Sequence, residues 1–111
     1  MKIVTRNEGN CRVVALVGSA DINASEALRE SLVGAVESGA ARVVCDLSKT
    51  DFVSSDALGI LITAWVKARG RGGFVRLAGC QQRVREILAE MHLDRLFEVF
   101  PDVAQAAAAG G

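Results

Sequence analysis

Tyrosine is absent from this 111-residue sequence, which also contains a single histidine, one tryptophan, one proline and three cysteines. Thirteen Lys and Arg offset thirteen Asp and Glu. With His92 as the lone imidazole, a convergent acid–base or nucleophilic centre is poorly supplied, so no enzymatic chemistry is expected. Zero net charge removes the long-range attraction that a nucleic-acid or anionic-membrane binder shows, and a protein partner or small ligand fits better. Cys11, Cys45 and Cys80 are odd in number, far apart, and set in or beside apolar strand-like sequence. That is neither a disulfide framework nor a metal-ligand spacing, and it reads as three small buried hydrophobes in a reducing compartment. Residues 1–6 lack the apolar core of a signal peptide, and no run approaches the roughly 18 apolar residues of a membrane span. A soluble, cytoplasmic protein is expected.

Half of the chain is apolar, enough for one core without staples and too little length for two. One domain over 1–111 is expected, with residues from about 105 as a tail. Ile3 to Arg6 and Arg12 to Val17 are β-branched runs separated by Asn7-Glu8-Gly9-Asn10, which predicts an opening hairpin. From Asn23 to Glu37, Ala27, Leu28, Leu32, Val33, Ala35 and Val36 recur at helical spacing, with Ser25, Glu26, Arg29, Glu30 and Glu37 opposite them. Arg42 to Leu47 is a nearly continuous apolar run, as in a central strand covered on both faces. A helical pattern from Ala57 to Arg69 follows, stopped by Gly70, Gly72 and Gly73. Phe74 to Leu77 predicts another strand, and Gln82 to Met91 a helix with Val84, Ile87, Leu88 and Met91 inward. Pro101 breaks the chain, Asp102 caps a short last helix, and the alanines 106–109 read as fraying tail. The alternation implies an α/β fold: a mixed sheet of four to five strands with about four helices.

Few residues are placed for chemistry. His92 falls at a helix C-terminus, where a structural role suffices. Gly70-Arg71-Gly72-Gly73 follows a helix and lacks the lysine and hydroxyl of a phosphate loop, so it serves as a stop. Asp46, Asp51 and Asp56 could surround a cation, but a turn and a helix cap account for two of them, and no metal or cofactor is expected. The informative segment is Ser54-Ser55-Asp56. Capping residues there present hydroxyls beside the free N–H groups of a first helical turn, where an anion is favoured. In the helix that follows, Leu58, Leu61, Ile62 and Trp65 share a face suited to the sheet. Ile60 lies nearly opposite, between Ala57, Ala64 and Gly59, and predicts an apolar docking patch beside the hydroxyls.

Residues 46–61, Asp-Leu-Ser-Lys-Thr-Asp-Phe-Val-Ser-Ser-Asp-Ala-Leu-Gly-Ile-Leu, resemble the signature of bacterial anti-sigma factor antagonists of the STAS-domain family, typically written Asp-Ser-Ser/Thr-Gly-Leu-Gly. Gly18-Ser19-Ala20-Asp21 resembles the same family's Gly-Glu-Leu/Ile-Asp motif, and the element order agrees along almost the whole chain. The resemblance implies that Ser55 is a phosphoacceptor, with Asp21, Ser54, Asp56, Ala57 and Ile60 around it as a regulatory and partner-binding loop. It further implies partners: an anti-sigma factor that is also a serine kinase, and a serine phosphatase. Ser54 stands where the family has aspartate, Asp56 replaces the second hydroxyl residue, and Ala57 replaces glycine. Two competing expectations are a STAS accessory subunit of a membrane lipid ABC transport complex and a nucleotide-binding module.

Overall fold

The structure is a computed structural model that describes residues 1–110. Strands β1 (Lys2–Glu8) and β2 (Cys11–Ala20) form the opening hairpin, with Glu8 opposite Cys11. Gly9 lies between them at φ +60°, a value that a two-residue antiparallel turn demands and that glycine adopts without a Cβ penalty. A 3₁₀ turn over Ile22–Ala24 leads into α1 (Ser25–Glu37), and β3 (Arg42–Val53), α2 (Ser55–Arg69), β4 (Phe74–Ala78) and α3 (Gln82–Glu90) follow. A second 3₁₀ turn (Leu93–Arg95), β5 (Val99–Phe100) and α4 (Val103–Ala108) come last. The sheet runs β1-β2-β3-β4-β5, antiparallel at the hairpin and parallel elsewhere. This is the mixed α/β sheet expected, with β3 at its centre.

Period-2 alternation splits the sheet between two cores. Val14, Val43, Cys45 and Leu77 face a large cluster with Leu28, Leu32 and Val36 of α1, Leu58 and Leu61 of α2, and Val84 and Leu88 of α3. Val13, Val44, Phe74 and Ala78 face the other way, onto Val103 and Ala106 of α4. The central strand is covered on both faces, which is why its sequence is nearly continuously apolar.

Several boundaries differ from the sequence expectation. β3 extends six residues beyond Leu47, because Thr50, although polar, is fully buried and its hydroxyl donates to the Leu16 carbonyl at 2.6 Å. The first helix does not begin at Asn23, since the 3₁₀ turn intervenes; Ala27 is exposed, and the Ser25 hydroxyl is buried without a partner instead of facing water. Met91 is 51% exposed, not inward. It lies past the end of α3, where His92 at φ +59° turns the chain, a left-handed conformation that histidine tolerates better than most residues.

The largest correction concerns the C-terminal alanines. Ala106 is fully buried, and α4 is the layer that closes the second face of the sheet. Asp102 caps it as expected, accepting from the Gln105 amide at 2.8 Å. Its C-terminus is held by Arg76 of β4, which is 3% exposed. The Arg76 guanidinium lies 3.7 Å from the centroid of Phe74 and donates to the carbonyls of Ala106, Ala109 and Gly110 at 2.9, 3.0 and 3.0 Å. A cation at the unpaired carbonyls of a helix end satisfies both their hydrogen bonding and the dipole. Among the described residues no helix is long and apolar enough to cross a membrane.

Candidate functional site

The C-terminal ends of β2 and β3 bring the two motifs together. Ser19 pairs with Phe52 and Ala20 with Val53, and the Ser54 amide donates to the Ala20 carbonyl at 2.9 Å. Asp21 therefore leaves the sheet beside the start of α2. Its carboxylate accepts from the Asn23 amide at 3.0 Å and caps the 3₁₀ turn.

Ser54 is the residue that caps α2: its hydroxyl accepts from the Ala57 amide at 3.1 Å and its carbonyl from the Leu58 amide at 3.0 Å. Asp56, read from sequence as a cap, is the second residue of the helix. Its carboxylate near the positive end of the helix dipole is favourable without a capping bond. Ser55 is the first residue of α2 and is exposed. Its amide and that of Asp56 have no carbonyl four residues back within the helix to bond. An anion on the Ser55 hydroxyl would thus meet water, free amides and the helix dipole.

The three aspartates weighed as a cation cage do not converge. Asp46 accepts from the Ser48 amide at 3.0 Å and Asp51 from the Ser19 hydroxyl at 2.7 Å, both within or beside β3. Among the described residues no group of three His, Cys, Asp or Glu is arranged to hold a metal.

The docking patch expected at Ile60 is absent. Ile60 is 2% exposed and belongs to the main core, as do Ala57, Ala64 and Ala68. A one-sided helical wheel failed here because α2 packs against α1 as well as the sheet, so two of its faces are buried. The apolar side chains that do reach solvent near the motif are Ile22, 66% exposed, and Phe52, 38% exposed. Ile22 follows Asp21, and Phe52 stands three residues before Ser55. Ile22 is legible as a lone hydrophobe between Asp21 and Asn23 and Phe52 as the outward member of the Phe52-Val53 pair, but neither lies on a helical pattern that draws attention to it.

The three cysteines are buried and free. Burial pushes the Cys80 thiol up to about 11, against a partial lowering by Arg85. Burial, then the neighbouring Cys80 and Asp46, pushes the Cys45 thiol higher still. Neither thiol is suited to act as a nucleophile near neutral pH.

A family model described as the STAS domain matches residues 2–106. A STAS-domain containing protein of Pseudomonas aeruginosa (strain UCBPP-PA14) is 36% identical over 58 residues, which is 52% of this chain and 57% of that relative. The matched segment thus spans just over half the length of the curated relative. Among solved structures, an anti-sigma factor antagonist from Mycobacterium paratuberculosis superposes with a TM-score of 0.85 at 23% identity, covering 96% of this chain and 90% of that one. The phosphorylated form of SpoIIAA, a Bacillus cell fate determinant, gives 0.71 at 17% identity over 88% of this chain and 90% of that one. A sulfate transporter family protein from Wolinella succinogenes gives 0.76 at 15% identity over 89% and 83%. At these identities the structural likenesses establish the fold.

Proposed function

The chain belongs to the STAS domain family, and from that premise we propose that it is an anti-sigma factor antagonist whose binding is switched by phosphorylation of Ser55. The unmodified protein binds an anti-sigma factor that is also a serine kinase, and so releases a sigma factor for transcription. The kinase modifies Ser55, the complex parts, and a serine phosphatase restores the hydroxyl. The protein acts by binding and performs no catalysis.

The observation that carries this reading is that Ser55, the first residue of α2, is exposed, with Asp21 leaving the adjoining strand end beside it, while Ile22 and Phe52 at the ends of the same strands also reach solvent. A kinase can reach such a hydroxyl, and a partner can bury the two apolar side chains. Phosphate adds about −1.5 to −2 charges at pH 7 to a surface that already carries Asp21 and Asp56. Burying that charge against an apolar or acidic partner is costly, so the partner is released without a change of fold. A fold shared with a protein studied in its phosphorylated form is consistent with this.

The test is mass spectrometry after incubation with the cognate kinase and ATP. One phosphate should be gained by the wild type and none by Ser55→Ala. In capture experiments Ser55→Asp should recover less of the anti-sigma factor than Ser55→Ala does. An unchanged wild-type mass, or recovery of a transport ATPase in place of a kinase-like protein, would overturn the reading.

A further inference from the structure

β1 is an open edge of the sheet: β2 pairs with one side of it, and among the described residues nothing pairs with the other. Alternate residues of an antiparallel strand bond each side, so with Glu8 and Cys11 as the bonded pair at the turn, Ile3, Thr5 and Asn7 turn their N–H and C=O groups outward as a template for another strand. The opposite edge, β5, is only two residues long and is backed by α4, so it offers no such template.

The sequence of β1, Lys-Ile-Val-Thr-Arg-Asn-Glu, is complementary to itself when reversed. We propose that the protein forms a two-fold dimer by antiparallel pairing of β1 with β1 of a second copy, centred on Thr5. In that register Lys2 lies opposite Glu8 of the second copy and Glu8 opposite its Lys2, so two opposite-charge pairs form across the axis. Thr5 meets Thr5, Ile3 meets Asn7, and Val4, 43% exposed in the single chain, lies against the stem of Arg6. Directly opposed residues have Cβ atoms about 4.5–5.5 Å apart, close enough for each pair to contribute.

The faces agree with this register. Ile3 packs against the main core below α1 and α2, so alternation puts Thr5 and Asn7 on the helical face and Lys2, Val4, Arg6 and Glu8 on the other. Pairing about Thr5 joins like face to like face and yields one continuous sheet with the α1–α3 layers on one side. Pairing about Val4 would set Lys2 against Arg6, and pairing about Arg6 would set the two Arg6 side chains together. A shift by one residue would set the outward-bonding residues Ile3, Thr5 and Asn7 against residues whose backbone groups bond β2, and the ladder could not form. A charged edge ordinarily prevents strand addition; here the same charges forbid neighbouring registers and favour one. β2 lies between this edge and the Ser54–Asp56 loop, so the dimer leaves Ser55 of each copy free.

The experiment is sedimentation velocity on the untagged protein at low ionic strength across a micromolar to submillimolar range, with circular dichroism to verify folding. The wild type should show a concentration-dependent dimer. Lys2→Glu and Glu8→Lys should each raise the dimer dissociation constant by about tenfold or more, since two attractive cross-strand pairs become repulsive. The double variant Lys2→Glu/Glu8→Lys restores both pairs and should recover the wild-type value. Both positions lie on the sheet edge, and the Arg6–Glu8 ion pair that Glu8→Lys removes is long, 3.4 Å, and solvated, so folding is expected to survive. A wild type that stays monomeric throughout, single variants that dimerise as well as wild type, or a double variant no better than the singles would each overturn the proposal.

Discussion

Truncating Arg76 should loosen the C-terminal layer of the fold. Its guanidinium is 3% exposed, makes three bonds to carbonyls at and just beyond the end of α4, and is flanked by Phe74 at 3.7 Å and Phe100 at 5.4 Å. Arg76→Ala leaves those carbonyls without a donor and removes the filler between two aromatic rings. Hydrogen bonds to a charged donor contribute about 1.5–3 kcal/mol each, but carbonyls at the chain end recover some of that from water. A net loss of about 2–4 kcal/mol is expected, a large share of the roughly 5–15 kcal/mol that typically separates folded from unfolded. With a urea dependence of about 1–3 kcal/mol/M for a domain of this size, the midpoint should fall by about 0.7–4 M. Hydrogen exchange should show protection lost first across residues 103–108. Glu98 is the control: its carboxylate accepts from Arg76 at 3.2 Å but is 63% exposed, so Glu98→Gln should cost under about 1 kcal/mol. An Arg76→Ala protein within about 0.5 kcal/mol of wild type, the range of an ordinary surface substitution, would refute the claim that this side chain anchors α4.

Ile60→Ala should destabilise by about 2–5 kcal/mol, the range for emptying a buried aliphatic site, while Ile22→Ala and Phe52→Ala should change stability by under about 1 kcal/mol and weaken partner capture. Thermal melts paired with pull-downs check this, and a stable Ile60→Ala that fails to bind would reverse it. For Cys80, the proton is held more tightly in the folded state, since burial raises the thiol from 9.0 to about 11. Its contribution is therefore complete below pH 9 and is lost as the pH rises toward 11. The urea midpoint should fall over that interval by less in Cys80→Ala than in wild type, and equal slopes would contradict the assignment.

Much of this was readable from local pattern. The hairpin, the central strand, the glycine stop after α2 and the Asp102 cap depend on turn chemistry, alternation and capping, which act over a few residues. The segment carrying Ser55 was readable for the same reason, since a run of small polar residues before an apolar helical repeat marks a helix start. Thr50 shows where such reading ends. A buried hydroxyl is acceptable only if something accepts its proton, and that acceptor, the Leu16 carbonyl, is 34 residues away.

By itself the sequence determined the order and kind of the first four strands and the helices and the position of Ser55 at a helix mouth, because propensity, periodicity and caps are short-range; β5 and the two 3₁₀ turns carry no such local signal. Only the tertiary structure decided which apolar side chains remain in water. Ile60 is buried because α1 lies against the side of α2 that a single helix would leave free, and Ile22 and Phe52 are exposed because no described element covers the strand ends. The segment after Pro101 is a helix that closes the second core through Val103 and Ala106 instead of a tail, and an arginine from a strand some thirty residues earlier in the chain holds the carbonyls of Ala106 and Ala109. Burial is a property of what surrounds a residue, and those surroundings exist only once distant segments have come together.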